Sequence, residues 1–235
     1  MIRYLLPLFG GMAVGLGLMF GFLYYNPMST ANTLSPISVT DNEVVRLNYS
    51  AVVQDALIYT NDGEAQIAPH PAKVQQLWED PVRHTTAMVT VLTDSRGQVA
   101  GIGVKFSSLS EQTNILRGEI LMDSVWHIYL PARGSLFLEQ SENYWGYIRD
   151  IVLPARWSSG DNWRGSWLGN ITAGPGALGT AAVAGGSGQF QYMNTEGVES
   201  FSAKAYSVEH GPVAMTGELA IEIPGSEDLY READD

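Results

Sequence analysis

The sequence predicts an all-β fold, an antiparallel barrel of about eight strands, preceded by one N-terminal transmembrane helix. Three observations predict it. Short segments of alternating apolar and polar residues recur beyond position 85, separated by turns rich in glycine and proline. A stretch of small residues and glycines, GTAAVAGGSGQF at 179–190, falls between two of them. A single uncharged apolar run, Leu5 to Tyr25, opens the chain.

That run is long enough to cross a hydrocarbon core of about 30 Å at about 1.5 Å per residue. Arg3 precedes it and no Lys or Arg follows until Arg46. The positive-inside rule then places the N-terminus in the cytoplasm and the rest in the periplasm, on the outer face of the inner membrane. Ser29-Thr30-Ala31 offers the rival reading, a cleaved signal peptide, although the run exceeds the usual h-region of about 7–15 residues. Gly11 and Gly15, then Gly17 and Gly21, repeat at a spacing that lets a second helix approach closely. Such a surface suits a homo-oligomer or an integral-membrane partner; glycine is also simply common in membrane helices.

The expected organisation is an anchor over 1–26, an extended tether over 27–45, a barrel domain over 46–225 and an acidic tail over 226–235. The tether is rich in Asn, Ser, Thr and Pro and has no periodicity. A short helix is expected in HPAKVQQLWEDP, entered at Pro71 and stopped at Pro81. Strands follow. TTAMVTVLT and QVAGIGVKF flank the turn DSRG, and DSVWHIYL and SLFLEQ flank PARG. SWLGNITA, LGTAAVAG, ESFSAKAYS and VAMTGELAIEI complete the set, the last placing Met215, Gly217, Leu219, Ile221 and Ile223 on one face.

Composition excludes several functions. The net charge of −12 repels phosphate backbones, so no nucleic acid is expected. With no cysteine, disulfides, thiolate nucleophiles and cysteine-held metals are absent. The four histidines, His70, His84, His127 and His210, lack metal-ligand spacing, and neither a metal nor another cofactor is expected. His127, between Trp126 and Tyr129 in an alternating strand, is the one placed near a cavity. Asp123, Glu139 and Glu142 could supply an acid pair, but the solvent face of a hairpin explains them more simply. G-x-S-x-G is absent. No catalytic residue is assigned.

Glycines 185, 186 and 188 read as a bulge or positive-φ corner, because neither the dinucleotide fingerprint nor a phosphate loop fits their context. Ala182, Val183, Gly185, Gly186, Ser187, Gly188, Phe190 and Gly197 together resemble the corner of the allene oxide cyclase and dirigent-type barrels. The resemblance covers roughly the last quarter of the chain. It implies an eight-stranded antiparallel barrel with an apolar interior, in a superfamily of cyclases and non-enzymatic coupling guides.

The segment from Tyr144 to Trp167 interleaves indoles and guanidiniums. Tyr144, Trp145, Arg149, Arg156, Trp157, Trp163 and Trp167 are the candidate binding residues for a partner or an apolar ligand. Core aromatic packing with arginines reaching outward explains the same pattern. The function expected is a membrane-anchored, non-enzymatic binding or accessory subunit of an integral-membrane complex or for an apolar ligand. The alternative is a cyclase or isomerase acting on a lipid- or terpenoid-like substrate inside the barrel. An envelope-structural role is a third reading.

Overall fold

Alternation builds the wall. The computed structural model describes residues 2–25, 43–52, 59–61, 64–65, 85–158 and 160–223. Most of the tether, the helix expected between His70 and Pro81, His84 and the acidic tail lie outside these residues.

Strand β1 spans Glu43–Ser50, β2 Tyr59–Asn61, β3 Glu64–Ala65, β4 Thr85–Thr93 and β5 Val99–Leu109. Next come β6 Leu121–Leu130, β7 Gly134–Asn143, β8 Asn162–Asn170 and β9 Thr172–Gly174. The last three are β10 Ala181–Gly188, β11 Asn194–Ser207 and β12 Gly211–Ile223. All pairings are antiparallel. The order β1-β12-β11-β10-β7-β6-β5-β4 returns to β1 through the pair Asn48↔Thr93, so eight strands close a ring. The β-barrel reading holds, and with it the alternation of β12: Met215, Gly217, Leu219, Ile221 and Ile223 are all buried. Inward residues of seven strands form the core, among them Leu47, Leu92, Ile128, Leu138, Val183, Phe201 and Leu219.

Two strand assignments change. Glu43–Ser50 forms a ring strand that begins inside the expected tether, pairing over its whole length with β12 from Glu43↔Ile223 to Ser50↔Thr216. SWLGNITA does not supply a ring strand. It divides into β8, which pairs with the C-terminal part of β11, and β9, which pairs with β7 at Ser141 and Glu142. β11 is long enough to take β10 along its N-terminal part, from Asn194 to Gly197, and β8 from Ser200 onward. The space between β7 and β11 is thus filled by β10 at one end and by β8–β9 at the other.

The glycine stretch also differs from a simple connection. Gly185 to Gly188 belong to β10 and pair with β7, with a bulge between Gly185 and Ser187. The turn comes later, across Gln189–Met193, where Phe190 donates to Ser187 O at 3.3 Å and Met193 to Phe190 O at 3.1 Å. Gly188 has φ 66°, which a Cβ would strain, and its Cα packs on the Arg133–Gly134 backbone. The predicted bulge and positive φ are both present.

The N-terminal segment requires a correction. It forms helix α1, Ile2–Tyr24, with Pro7 inside it. Among the described residues, however, no helix is long and apolar enough to cross a membrane. Gly10, Gly11, Gly15, Gly17 and Gly21 dilute the apolarity of the run, and Pro7 falls inside it. The transmembrane anchor in the expected fold class is not supported, and neither is the inner-membrane placement that depended on it. The glycine face is open as well: a Cβ on Gly11, Gly15, Gly17 or Gly21 would meet nothing within 4 Å.

Candidate functional site: a charged cluster inside the barrel

β5 presents Gly101, Gly103 and Lys105 to the interior in alternation. A Cβ on Gly103 would fall 2.8 Å from the Trp126 ring, so the glycine makes room for the indole that β6 sends inward. Gly217 does the same for the Tyr49 ring. Tyr49 and Trp126 pack edge to face at 4.9 Å. These two rings frame one side of a polar centre that a barrel interior does not need for packing.

That centre is built on Lys105, Glu142 and Glu199, all buried. Lys105 Nζ lies 2.7 Å from Glu142 Oε1, and 2.9 and 3.1 Å from the two oxygens of Glu199. The ammonium also sits 5.3 Å from the Trp126 ring centroid and 5.9 Å from that of Phe201. Glu199 accepts further hydrogen bonds from the Tyr49 hydroxyl, Trp126 Nε1 at 3.0 Å and Gln140 Nε2. Glu142 accepts from the Ser124 hydroxyl, from Gln140 Nε2 at 2.9 Å and, on Oε2, from the Tyr144 hydroxyl at 2.7 Å. Thr172 on β9 donates to Gln140 Oε1 at 2.8 Å and accepts from the Glu199 amide at 2.7 Å. Gln140 therefore carries its two donors toward the carboxylates by construction.

One cation faces two carboxylates, and this imbalance governs the protonation. Burial raises the Glu142 carboxyl above the usual carboxylate range, and the charge of Glu199 adds to it against the opposing pull of Lys105. Burial alone would lower Lys105. The two carboxylates more than offset that, and its ammonium is held above its ordinary value. Burial, then Glu199, pushes the Tyr49 phenol well above the usual range. The Tyr144 hydroxyl, bonded to Glu142 Oε2, links this raised carboxyl to the end of the barrel.

That end is closed by helical turns that follow β7. Trp145–Tyr147 forms α2, Ile148–Val152 continues as a π-type stretch, and Leu153–Trp157 forms α3. Ile151 and Ala155 are fully buried beneath it. Tyr147 meets Tyr144 at 6.4 Å, Trp167 at 5.9 Å and Tyr206 at 6.1 Å, all edge to face, while Tyr144 lies 6.1 Å from Phe201. An aromatic layer thus lies over the charged cluster.

The sequence-selected residues divide accordingly. Tyr144, Trp163 and Trp167 are half-buried against the core and join this layer. Trp145 is 7% exposed and packs inward, so it is not a free contact surface. Arg149 bonds Asp150 at 2.7 and 2.9 Å, and Asp150 also accepts from Trp167 Nε1 at 3.3 Å. Arg156 and Trp157 remain exposed, Trp157 at 68%.

Among the acids, Glu142 does not share the hairpin's solvent face with Asp123 and Glu139. Those two point outward into a shallow cavity of about 280 Å³ over Phe106 and Val125, where Asp123 accepts from Ser141 Oγ at 2.7 Å. His127 is also outside the barrel, stacked on Phe137 at 4.6 Å. Sequence reasoning misses Lys105 and Glu199 altogether. Their signal is parity: in GIGVKF and GVESFSA each charged residue falls on the face that its strand turns inward. Among the described residues, no group of three or more His, Cys, Asp or Glu side chains could hold a metal ion.

No protein-family model matches the chain, and no curated protein matches it. Among the solved structures that resemble it weakly are two cyclisation enzymes. A nonspecific heme-binding cyclase, which catalyses a 4 + 2 cycloaddition during neoabyssomicin biosynthesis, is 13% identical with a TM-score of 0.37, over 83% of this chain and 76% of its own. The Diels Alderase AbmU from Streptomyces koyangensis is 12% identical with a TM-score of 0.34, over 83% of this chain and 78% of its own. Likeness at this level carries no argument about the present chain.

Proposed function

We propose that this barrel is an enzyme of the isomerase or cyclase kind, which rearranges an apolar substrate at its aromatic end by acid–base chemistry from the cluster beneath. The observation that carries the reading is the buried Lys105–Glu142–Glu199 cluster. Filling the same volume with apolar side chains is often neutral or stabilising by comparison. Carboxyls raised by burial, as Glu142 is, gather at functional sites. Glu142 gives a proton to the substrate, directly or through the Tyr144 hydroxyl, and takes one back from the rearranged product, so the conversion leaves mass and charge unchanged; Glu199 and Lys105 fix the field around it. The aromatic layer gives an apolar molecule its surface. A non-enzymatic accessory role, docking a partner through 144–167, retains Arg156, Trp157 and Arg164 as exposed aromatic and charged contacts among the described residues, and the buried cluster has no part in it.

The test is mass-neutral conversion. The protein is incubated with polyenes, enones and epoxides of lipid and terpenoid type, and isomers of unchanged mass are sought by chromatography and mass spectrometry. At least one substrate should isomerise, and Glu142→Gln should slow it by about 10²–10⁴-fold, the usual contribution of a general acid. No conversion across the panel, or conversion that survives Glu142→Gln, overturns the proposal.

A further inference from the structure

Among the described residues three buried side-chain polar atoms have no hydrogen-bond partner, Trp145 Nε1, Thr180 Oγ1 and, in the ring contacts of the aromatic layer, the Tyr147 hydroxyl. The Tyr147 hydroxyl is buried and has no hydrogen-bond partner, although the residue is only 9% exposed. Buried polar groups are almost always paired, and an orphan in a native fold calls for a specific reason. Its neighbour Tyr144, with the ring 6.4 Å away, spends its own hydroxyl on Glu142. The two tyrosines stand side by side, one tied to the acid and one untied. The other rings in contact with Tyr147 are Trp167 and Tyr206, and neither hydrogen-bonds the Tyr147 hydroxyl. Burial, with Tyr206 adding to it, pushes the Tyr147 phenol above its ordinary value, so it stays a donor throughout the working pH range. The backbone carrying it runs straight into the π-type stretch Ile148–Val152, an irregularity frequent at functional sites.

We propose that Tyr147 receives an acceptor oxygen, of carbonyl or ether type, from the apolar ligand of the barrel. The ligand lies against Tyr144, Trp167 and Tyr206 with its oxygen on the Tyr147 hydroxyl. The substrate class is therefore an apolar molecule with one acceptor oxygen, and a pure hydrocarbon is the poorer fit. This rests on the reading of the aromatic end as the binding site, and it adds the specificity-determining atom. A site that offers a buried donor rejects an analogue that cannot use it, because the donor is then left unpaired.

The experiment uses two unreactive probes of one shape, 2-acetylnaphthalene and 2-isopropenylnaphthalene, which differ by an oxygen in place of a methylene. Dissociation constants are measured by fluorescence for the wild-type chain, Tyr147→Phe and Glu142→Gln. The wild-type chain should prefer the ketone by about fivefold or more, the worth of one net hydrogen bond. Tyr147→Phe should bind both probes alike, with the affinity for the hydrocarbon retained. Equal affinities in the wild type, a ketone preference that survives Tyr147→Phe, or no binding of either probe would each overturn the assignment. Glu142→Gln separates it from the catalytic proposal: a barrel that binds but does not turn over shows the ketone preference in both wild type and Glu142→Gln and no isomer in the panel above.

Discussion

Lys105 on β5 reaches Glu199 on β11 at 2.9 Å, a bond between strands four places apart whichever way the eight-stranded ring is followed. It spans the diameter of the barrel. The buried polar side chains Tyr49, Trp126, Gln140 and Glu142 gather around that contact, and its removal should be felt on the strands that carry them.

Lys105→Met is expected to destabilise the barrel by about 3–5 kcal/mol, because two buried carboxylates lose their cation. Adding Glu199→Gln to Lys105→Met should recover a large part of the loss. Urea denaturation of the single and double variants measures both. An additive double variant would mean that the two side chains are energetically independent in spite of their contact.

The raised Glu142 carboxyl sets a pH dependence. Its proton is favoured in the folded state, so its contribution is fully present below the ordinary carboxylate range and is lost as pH rises through its folded value. The stability of the wild type relative to Glu142→Gln should therefore fall between acidic and neutral pH. A flat difference across that window would show a carboxyl with an unshifted titration.

The alkaline limb has a separate origin. Tyr49 and Lys105 are both raised in the fold, so their contributions hold below about pH 10, the unfolded phenol value, and are lost above it. Tyr49→Phe should make the loss of stability above pH 10 shallower, as followed by circular dichroism during base titration. An identical slope would leave the alkaline limb to Lys105 and Tyr147, whose phenol is also raised by burial.

Gly188→Val is expected to cost about 1–3 kcal/mol, since it puts a branched side chain at φ 66° and drives a Cβ into the Arg133–Gly134 backbone. The midpoint should fall by several degrees. Gly186→Ala should cost less, because the nearest atom to its Cβ, at 2.8 Å, is the Ser135 hydroxyl, which can turn away. Equal effects at the two positions would argue against the positive φ at Gly188.

Trp145→Ala should lower stability by about 3–5 kcal/mol as a core truncation, and Trp157→Ala should leave the melt unchanged, given its 68% exposure. Calorimetry of the two variants separates an inward indole from an outward one. A neutral Trp145→Ala would return that residue to the surface.

The ring is legible because its strands alternate cleanly: VAMTGELAIEI and DSVWHIYL declare their inward face by periodicity alone. The first strand is not, since EVVRLNYS follows a featureless polar stretch and carries Arg46 and Asn48 on its outward side. SWLGNITA reads as a ring strand because sequence shows that a strand exists and not which neighbour it pairs with. The charged cluster escapes for a related reason. A lysine or glutamate in a strand reads as solvent-facing by composition, and only its parity with Gly103 or Phe201 says otherwise. Glu142 shows this most sharply: it is one residue out of register with the exposed face of Asp123 and Glu139. The aromatic segment stands out as unusual, yet six rings in a short span say nothing about which hydroxyl finds a partner.

Glu43 pairs with Ile223, so the first strand of the ring meets the last. A barrel closed in this way cannot shut while it is being synthesised: until the end of β12 has emerged, β1 has no long partner, its one other contact in the ring being the single pair with β4. Lys105 waits in the same interval, with Glu142 already present but Glu199 still to come. Nascent chains cut between β10 and β11 would then expose two open sheet edges and a Lys105 without Glu199, the combination that chaperones and proteases are suited to find.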